Sequence, residues 1–448
     1  MIKGIRYSKI INKGMIKVKQ IKVILIGAGD RGVTYTNHMG NQSEKFKIVG
    51  VAEPIPERRD FIKDKYGLSD DCCFDTWEKI LDVPKFADVA IVSTMDRDHS
   101  APAIKALQVG YDLLLEKPVA PTPEECVEIE KTAKKHGRKV VVCHVLRYTP
   151  FYNRLKRAIN SGIIGDVVSV VHNEDVGALH QAHSFVRGNW GNSERSSCML
   201  LQKSCHDLDI IQWLLDKKCK KIQSFGSLTY FTEKNAPEGA PEFCYQGCPK
   251  ADECIYNAEK IYTNENLSKA QIEWYRTTAT KLAHPTLEDA KHTIRTTNYG
   301  RCVFRCDNDV VDHQVVNMEF EDDVTVTFTM SAFANAGRTT KILGTKGWLD
   351  ASISKDSIDV IIQGVKGRTP YEESAGEIDA NITGGHGGGD EGIVNALYDY
   401  VTGEKEASEV SEIGISCRNH MLVFAAEKAR HEETVVYIDD YMKSVGME

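Results

Sequence analysis

Short apolar runs alternate with amphipathic stretches over the first third of the chain. Ile21–Ile26 (IKVILI), Phe46–Ala52 (FKIVGVA), Ala87–Ser93 (ADVAIVS), Asp112–Leu115 and Lys139–Cys143 (KVVVC) have the length and β-branched content of buried strands. The segments between them have helical periodicity. Thr122-Pro123-Glu124-Glu125 is a capping box with Pro in the first turn, and Gly137 is a helix stop, which predicts a helix between them. Alternating strand and helix predicts a parallel, doubly wound sheet with ligands at the carboxyl ends of its strands. After Pro150 the pattern changes. Val167–Glu174, Ile222–Gly226, Val310–Phe320, Val324–Ser331, Thr339–Leu343 and Ser357–Ile362 follow one another as strands, several alternating with period two. Glu321-Asp322-Asp323 marks a hairpin between two of them, so a second, mostly antiparallel sheet is expected. Leu200–Leu215 reads as one amphipathic helix, with Leu201, Cys205, Leu208, Ile211 and Leu215 on its apolar face. The organisation predicted is an extension over 1–20, a nucleotide domain over 21–145, and a second α/β domain over 146–448 with an insertion near 232–308.

Composition narrows the classes without changing this picture. The chain has 448 residues, 42% apolar and 27% charged, which is ordinary for globular proteins and excludes disordered or fibrous ones. A net charge of −8 argues against a nucleic-acid partner. No apolar run is long enough for a membrane span. Met1–Gln20 is basic but lacks the apolar core of a secretory signal, and Met15 is an alternative start. Thirteen scattered cysteines with no such signal point to reduced thiols and a cytoplasmic location.

The chemistry-bearing residues follow the strands. Gly27-Ala28-Gly29-Asp30-Arg31-Gly32 comes directly after the first strand, where glycines allow a tight turn and close approach of a pyrophosphate to a helix N-terminus. Glu53 ends the second strand, somewhat beyond the usual ~20-residue spacing, and a carboxylate there accepts ribose hydroxyls and repels a 2′-phosphate. Arg58 and Arg59 nearby keep a phosphorylated ribose in view. Thr94, Asp96 and His99 follow another strand end, and Glu116-Lys117-Pro118 a third, each within reach of a nicotinamide or substrate.

GAGDRG, STMDRDH, LLLEKPVA (Leu113–Ala120) and the RYTPFYNRLK…GIIGDV run (Arg147–Val167) together resemble the Gfo/Idh/MocA oxidoreductases, over nearly the whole chain from about Ile21 and including the helix pattern at Ser411–Arg430. The resemblance implies an N-terminal Rossmann domain, a C-terminal α/β domain on an open, mostly antiparallel sheet, and NAD as cofactor. It places Lys117 at the nicotinamide end of a strand as a proton relay. The family's D-x-G-x-H-x-x-D helix motif falls so that His206 and Asp209 match its His and last Asp. Gln202 and Ser204 depart from its first Asp and its Gly. A neutral Gln202 cannot raise the basicity of His206, and Lys203 should lower it by like-charge repulsion. Lys203 therefore joins Lys117 and His206 as a catalytic candidate.

Arg147, His183, Arg187, Trp190, Asp209 and His386 are the substrate-binding candidates. His180, His183, Arg187 and Trp190 in LHQAHSFVRGNW suit a sugar, with polar donors for hydroxyls and an indole for C–H edges, and His386 lies in a glycine-rich loop that suits either closure over a ligand or a plain linker. The C-x3-C-x5-C spacing of Cys244, Cys248 and Cys254, with Cys302 and Cys306 further on, is compatible with zinc or an iron–sulfur cluster and equally with unligated thiols. The family in general needs no metal, and none is expected. The function expected is a homo-oligomeric NAD-dependent oxidoreductase acting on a secondary hydroxyl of a sugar, glycoside or polyol. The alternatives are a glycoside-cleaving enzyme working by transient oxidation and elimination, and a non-catalytic NAD-binding sensor.

Overall fold

A computed structural model describes residues 19–371 and 385–447. Both candidate start methionines and nearly all of the N-terminal extension lie outside the described residues. Six parallel strands form the first sheet: β1 (Ile21–Ile26), β2 (Phe46–Ala52), β3 (Cys73–Phe74), β4 (Val89–Val92), β5 (Asp112–Leu115) and β6 (Val140–Val142). Their order is β3-β2-β1-β4-β5-β6, which reverses beside β1 and opens the ligand crevice at the carboxyl ends of β1 and β4. Val23, Ile24 and Leu25 are wholly buried because helices cover both faces, which is why the strand reads as an unbroken apolar run. Helices α1 (Asp30–Gly40), α2 (Pro56–Tyr66) and α3 (Pro123–His136) flank this sheet. One half of the expected capping box forms: Thr122 Oγ1 accepts from the Glu125 N–H at 3.3 Å, while the Glu125 carboxylate accepts from the Thr122 hydroxyl at 2.8 Å, and Gly137 ends α3 with φ +60°.

The second sheet has nine strands: β7 (Val167–Asp175), β8 (Cys219–Ser227), β9 (His313–Phe320), β10 (Thr325–Ser331), β11 (Gly337–Gly344), β12 (Gly347–Ser352), β13 (Ser357–Ile362), β14 (Thr369–Pro370) and β15 (Val436–Tyr437). They run in the order β14-β13-β12-β11-β7-β10-β9-β8-β15, all antiparallel except the β10–β7 pair. Gln314, Val316, Met318 and Phe320 of β9 turn inward, as do Val326, Phe328 and Met330 of β10, so the alternation in the sequence marks the covered face. Helices α4 (Cys205–Leu215), α5 (Gly389–Thr402) and α6 (Ile413–Glu432) complete the frame. Ile393, Val394 and Leu397 of α5 pack with Leu25 and Ile91, and Cys417 and Met421 of α6 with the other face of the same sheet. The end of the chain thus returns to the nucleotide domain.

Two expectations change. The helix expected over Leu200–Leu215 is broken: Met199–Gln202 is a single turn, Lys203 and Ser204 lie between, and α4 begins at Cys205. Strand β12 was not foreseen, because Trp348, Asp350 and Ser352 give it little apolar signature. Within the insertion, Ala258, Ile261, Tyr262, Tyr275, Ile294 and Tyr299 form a separate small core. Its far side reaches α2, where Arg58 Nε donates to the Lys281 carbonyl at 2.8 Å and Phe61 meets His284 edge-on at 5.6 Å.

The two sheets are joined by a buried ion pair. Arg147, just after β6, donates through Nε and Nη2 to both oxygens of Asp209 on α4, each at 2.7 Å. Asn419 of α6 donates to the same carboxylate at 2.6 Å. Removing one member of a buried pair strands the other charge, at a cost of about 3–5 kcal/mol. Asp209→Asn is therefore expected to lower the unfolding free energy by about 3–5 kcal/mol in urea titrations, and the double variant Arg147→Met/Asp209→Leu to lose less.

Candidate active site

The glycine turn is shaped for a pyrophosphate. Gly27 has φ +91°, and a Cβ there would lie 2.6 Å from the Ser93 carbonyl oxygen. At Gly32 a Cβ would meet the Gly27 carbonyl oxygen at 2.3 Å, so α1 packs against the strand only with glycine. Above Gly29 the nearest group is the Arg58 guanidinium at 3.8 Å, which leaves space beside the N-terminus of α1, where Asp30 is exposed. Glu53, at the end of β2, accepts from the Ala28 N–H at 2.7 Å and the Ile55 N–H at 3.0 Å, so its carboxylate is fixed at the edge of the turn. Arg59 donates to the Glu53 carbonyl. These groups fit the pyrophosphate and adenosine ribose of a dinucleotide: open backbone amides for one and a held carboxylate for the other.

Two cofactor-binding candidates are engaged with each other instead. Arg31 Nε donates to Glu116 at 3.0 Å and Nη2 to the Tyr35 hydroxyl at 2.7 Å, and the guanidinium also pairs with Asp390 of α5. Tyr35 donates to Glu116 at 2.6 Å. Although desolvation opposes ionisation, the Arg31 and Lys117 charges and the Tyr35 and Arg31 hydrogen bonds hold the Glu116 carboxyl below its usual range. Arg31 and Glu116 thus brace the strand end that carries Lys117. His99 likewise bridges the Pro118 and Thr94 carbonyls, at 2.7 and 3.1 Å, and Thr94 Oγ1 donates to the Asp98 carbonyl.

The break in the helix forms the centre of the site. Lys117 Nζ donates to the Gln202 carbonyl at 2.9 Å, at the end of the single turn before α4. The Gln202 side chain donates to Ser196 and Ser197 hydroxyls at 2.6 and 2.7 Å, and Ser196 donates to Asp96 Oδ2 at 2.9 Å. A hydrogen-bonded chain therefore links the ends of β4 and β5 to the start of α4. His206, in the first turn of α4, is 7% exposed and faces His144 edge-on at 6.0 Å.

Lys203 has a carboxylate partner that its neighbours in sequence do not suggest. Its ammonium lies 2.9 Å from Glu174 on β7. Arg338 on β11, the register partner of Glu174, bridges Glu174 at 2.7 Å and Asp207 at 2.6 Å. His172 Nε2 reaches Asp207 at 3.1 Å. Two cations thus meet two carboxylates. Asp207 is held well below the usual carboxylate range by Arg338 and His172 against the desolvation that opposes it. His180 faces this cluster: burial, then the charge of Lys203, pushes its imidazole well below the usual value. The indole of Trp274, from the insertion, stands 4.9 Å from His180 and is 39% exposed.

Four substrate-binding candidates are placed elsewhere. His183 is wholly buried, with Nδ1 2.9 Å from the Tyr262 hydroxyl and Tyr275 and Tyr299 around it. Arg187 donates to the Arg301 and Tyr256 carbonyls inside the insertion. Arg147 and Asp209 are committed to each other. These four are interior because their segments carry enough apolar and aromatic neighbours to bury them, which their polar character alone does not reveal. Trp190 packs partly buried against Phe185 at 6.2 Å. The His386 side chain lies outside the described residues. Glu174, Asp207 and Arg338 went unrecognised because strand register and the packing of α4 on the second sheet, not sequence, bring them together; Trp274 had the signal of an aromatic within the insertion.

Residues 21–144 match an oxidoreductase family with an NAD-binding Rossmann fold, and residues 152–350 match a GFO/IDH/MocA C-terminal domain. YteT of Bacillus subtilis (strain 168), named as an oxidoreductase, is 26% identical over 369 residues, covering 80% of this chain and 83% of its own. Inositol 2-dehydrogenase of Salmonella typhimurium (strain LT2) is 25% identical over 206 residues, and the match spans 46% of this chain and 57% of that enzyme. Levoglucosan dehydrogenase, solved in complex with NADH and L-sorbose, superposes with a TM-score of 0.67 at 17% identity over 94% of this chain and 99% of that one, a likeness of fold.

Two outcomes follow from this geometry. NAD should bind more tightly than NADP in fluorescence titrations, because Glu53 opposes a 2′-phosphate, and Glu53→Ser should narrow the gap; equal affinities for the unaltered protein would contradict this. The second concerns acid. Burial lowers His144 from the usual 6.5 to about 4 and His420 to about 3. Between those values and 6.5 the unfolded chain binds more protons than the folded one, so stability falls as pH drops through that window. Thermal melts from pH 7 to 4.5 should show a steadily falling Tm, and a flat profile would refute neutral burial of these imidazoles.

Proposed function

Because the chain belongs to the Gfo/Idh/MocA family of NAD-binding oxidoreductases, we propose that it acts on a secondary hydroxyl of a sugar, glycoside or polyol. The observation that carries this reading is the meeting of Lys117, the Gln202 carbonyl and the first turn of α4 with His206 beside the ligand crevice. Held against the Gly27–Gly32 turn and Glu53, NAD would supply the hydride acceptor or donor for the carbinol carbon. Lys117 serves the hydroxyl proton: the Gln202 carbonyl orients its ammonium without neutralising it, as a carboxylate would. His206, on the adjoining turn, is the second proton carrier. Asp96, Ser196 and Gln202 keep Lys117 and the start of α4 in register. His180 and the exposed face of Trp274 supply a polar edge and an apolar platform for a sugar ring, the roles first expected of His183 and Trp190. The open face of the second sheet, where Val171 and Phe225 are exposed, is the surface through which the chain pairs with a copy of itself.

Elimination of an aglycone after transient oxidation is the second reading, and Lys203 beside the site motivates it. Its pairing with Glu174 weakens that reading, since a compensated ammonium stabilises an enolate less than a free one. The experiment follows NADH absorbance and aglycone release together, with a polyol such as inositol, a panel of sugars and aryl glycosides. NADH in step with substrate consumed supports the dehydrogenase; aglycone released without NADH would replace it with the elimination route. Lys117→Ala should retain NAD binding and lose roughly two or more orders of magnitude in kcat, as for a missing general acid or base. More than half the activity remaining would make Lys117 structural.

A further inference from the structure

Four cysteines remote from the hydride site surround one cavity. Cys244, Cys248, Cys254 and Cys302 all line this narrow cavity inside the insertion. The two segments that carry them are pinned together: Phe243 and Arg301 form an antiparallel bridge, and the Cys302 N–H donates to the Glu242 carbonyl at 2.9 Å. Among the described residues no group of three His, Cys, Asp or Glu side chains is arranged to hold a single metal ion.

The fifth wall is a cation. Arg187 is 2% exposed and also lines the cavity. Its Nε and Nη2 donate to the Arg301 and Tyr256 carbonyls at 2.8 Å, Nη2 also lies 3.5 Å from Cys244 Sγ, and Nη1 has no hydrogen-bond partner. No carboxylate pairs with this guanidinium among the described residues. A buried charge is costly unless a counter-charge faces it, and four neutral thiols offer none. Four thiolates on Zn²⁺ or on a [4Fe–4S]²⁺ core would carry a net charge of about −2 and supply it.

We propose that Cys244, Cys248, Cys254 and Cys302 ligate a soft metal centre that staples the insertion, with Arg187 as its buried counter-cation. With no single-ion arrangement among the described residues, a polynuclear iron–sulfur cluster is favoured over one zinc ion, and the centre is structural: it takes no part in the hydride step. It fixes the root of the segment that carries Trp274 to His180 and Lys281 to Arg58. Cys306, whose thiol donates to the Cys302 carbonyl at 3.4 Å, does not line the cavity and stands outside the ligand set.

The test is metal and acid-labile sulfide analysis of the full chain, purified anaerobically without chelators or a metal-affinity tag. About four iron and four sulfide per chain, with visible charge-transfer absorbance, is the expected result. About one zinc per chain without sulfide would also support the four-thiolate site and identify its occupant as a single ion. Cys248→Ser should lower the metal content at least fivefold, and Cys306→Ser should leave it unchanged. Less than about a tenth of an equivalent of either metal in the unaltered protein, with every thiol titrating after denaturation, would overturn the proposal. Equal metal loss in both variants would overturn the ligand assignment.

Discussion

Two opposite charges taken out of water together, Arg147 and Asp209, determine how the helix bearing His206 sits against the nucleotide-binding sheet. Arg147 follows the last strand of that sheet directly, and Asp209 lies three residues beyond His206 on α4. A guanidinium and a carboxylate that exchange two hydrogen bonds have one good relative orientation, and neither charge tolerates burial alone. Asn419 adds α6 to the same carboxylate, so three segments distant in sequence converge on one side chain. His144 lies beside it, 3.7 Å from Asp209, and contacts the rings of both His206 and His420. The imidazole expected to handle protons is thus mounted beside a buried, doubly hydrogen-bonded ion pair between the two sheets.

Around that mount the two lysines are treated differently. Lys117 is held by a backbone carbonyl, while the carboxylate beside it in sequence, Glu116, is bound by Arg31, by Tyr35 and by the Lys117 N–H. Lys203 is paired with Glu174 in a balanced group that also contains Arg338 and Asp207. One ammonium is positioned with its charge available and the other is compensated. This difference supports a division of labour in which Lys117 meets the reacting hydroxyl and Lys203 helps shape the floor of the cleft. The break at Lys203 and Ser204 makes both placements possible, because a continuous helix would direct the Gln202 carbonyl along its own axis.

Much of the frame was legible because buried parallel strands and a glycine turn leave strong local marks. The strands β1, β2, β5 and β13 begin and end where the apolar runs do, and Thr122 and Gly137 bound α3 as their chemistry requires. Lys117 and His206 were singled out through the family resemblance alone. The partners of the polar side chains were not legible. Nothing local to Lys203 points to Glu174, which depends on β7 and β11 pairing in the register that sets Arg338 opposite Glu174. His183 and Arg187 read as sugar-binding donors for the same reason: polarity is visible in a sequence, but burial beneath an insertion with its own aromatic core is a tertiary property.

We propose that the glycine turn, Glu53 and Lys117 line one dinucleotide site with its reactive end at the start of α4. A crystal structure of the protein with bound NAD tests this most directly. The expected result is the pyrophosphate against the amides of the Gly27–Gly32 turn, the adenosine ribose on Glu53, and nicotinamide C4 in the space between Lys117 and His206. A nicotinamide ring directed away from both side chains, or a dinucleotide held somewhere other than this crevice, would contradict it.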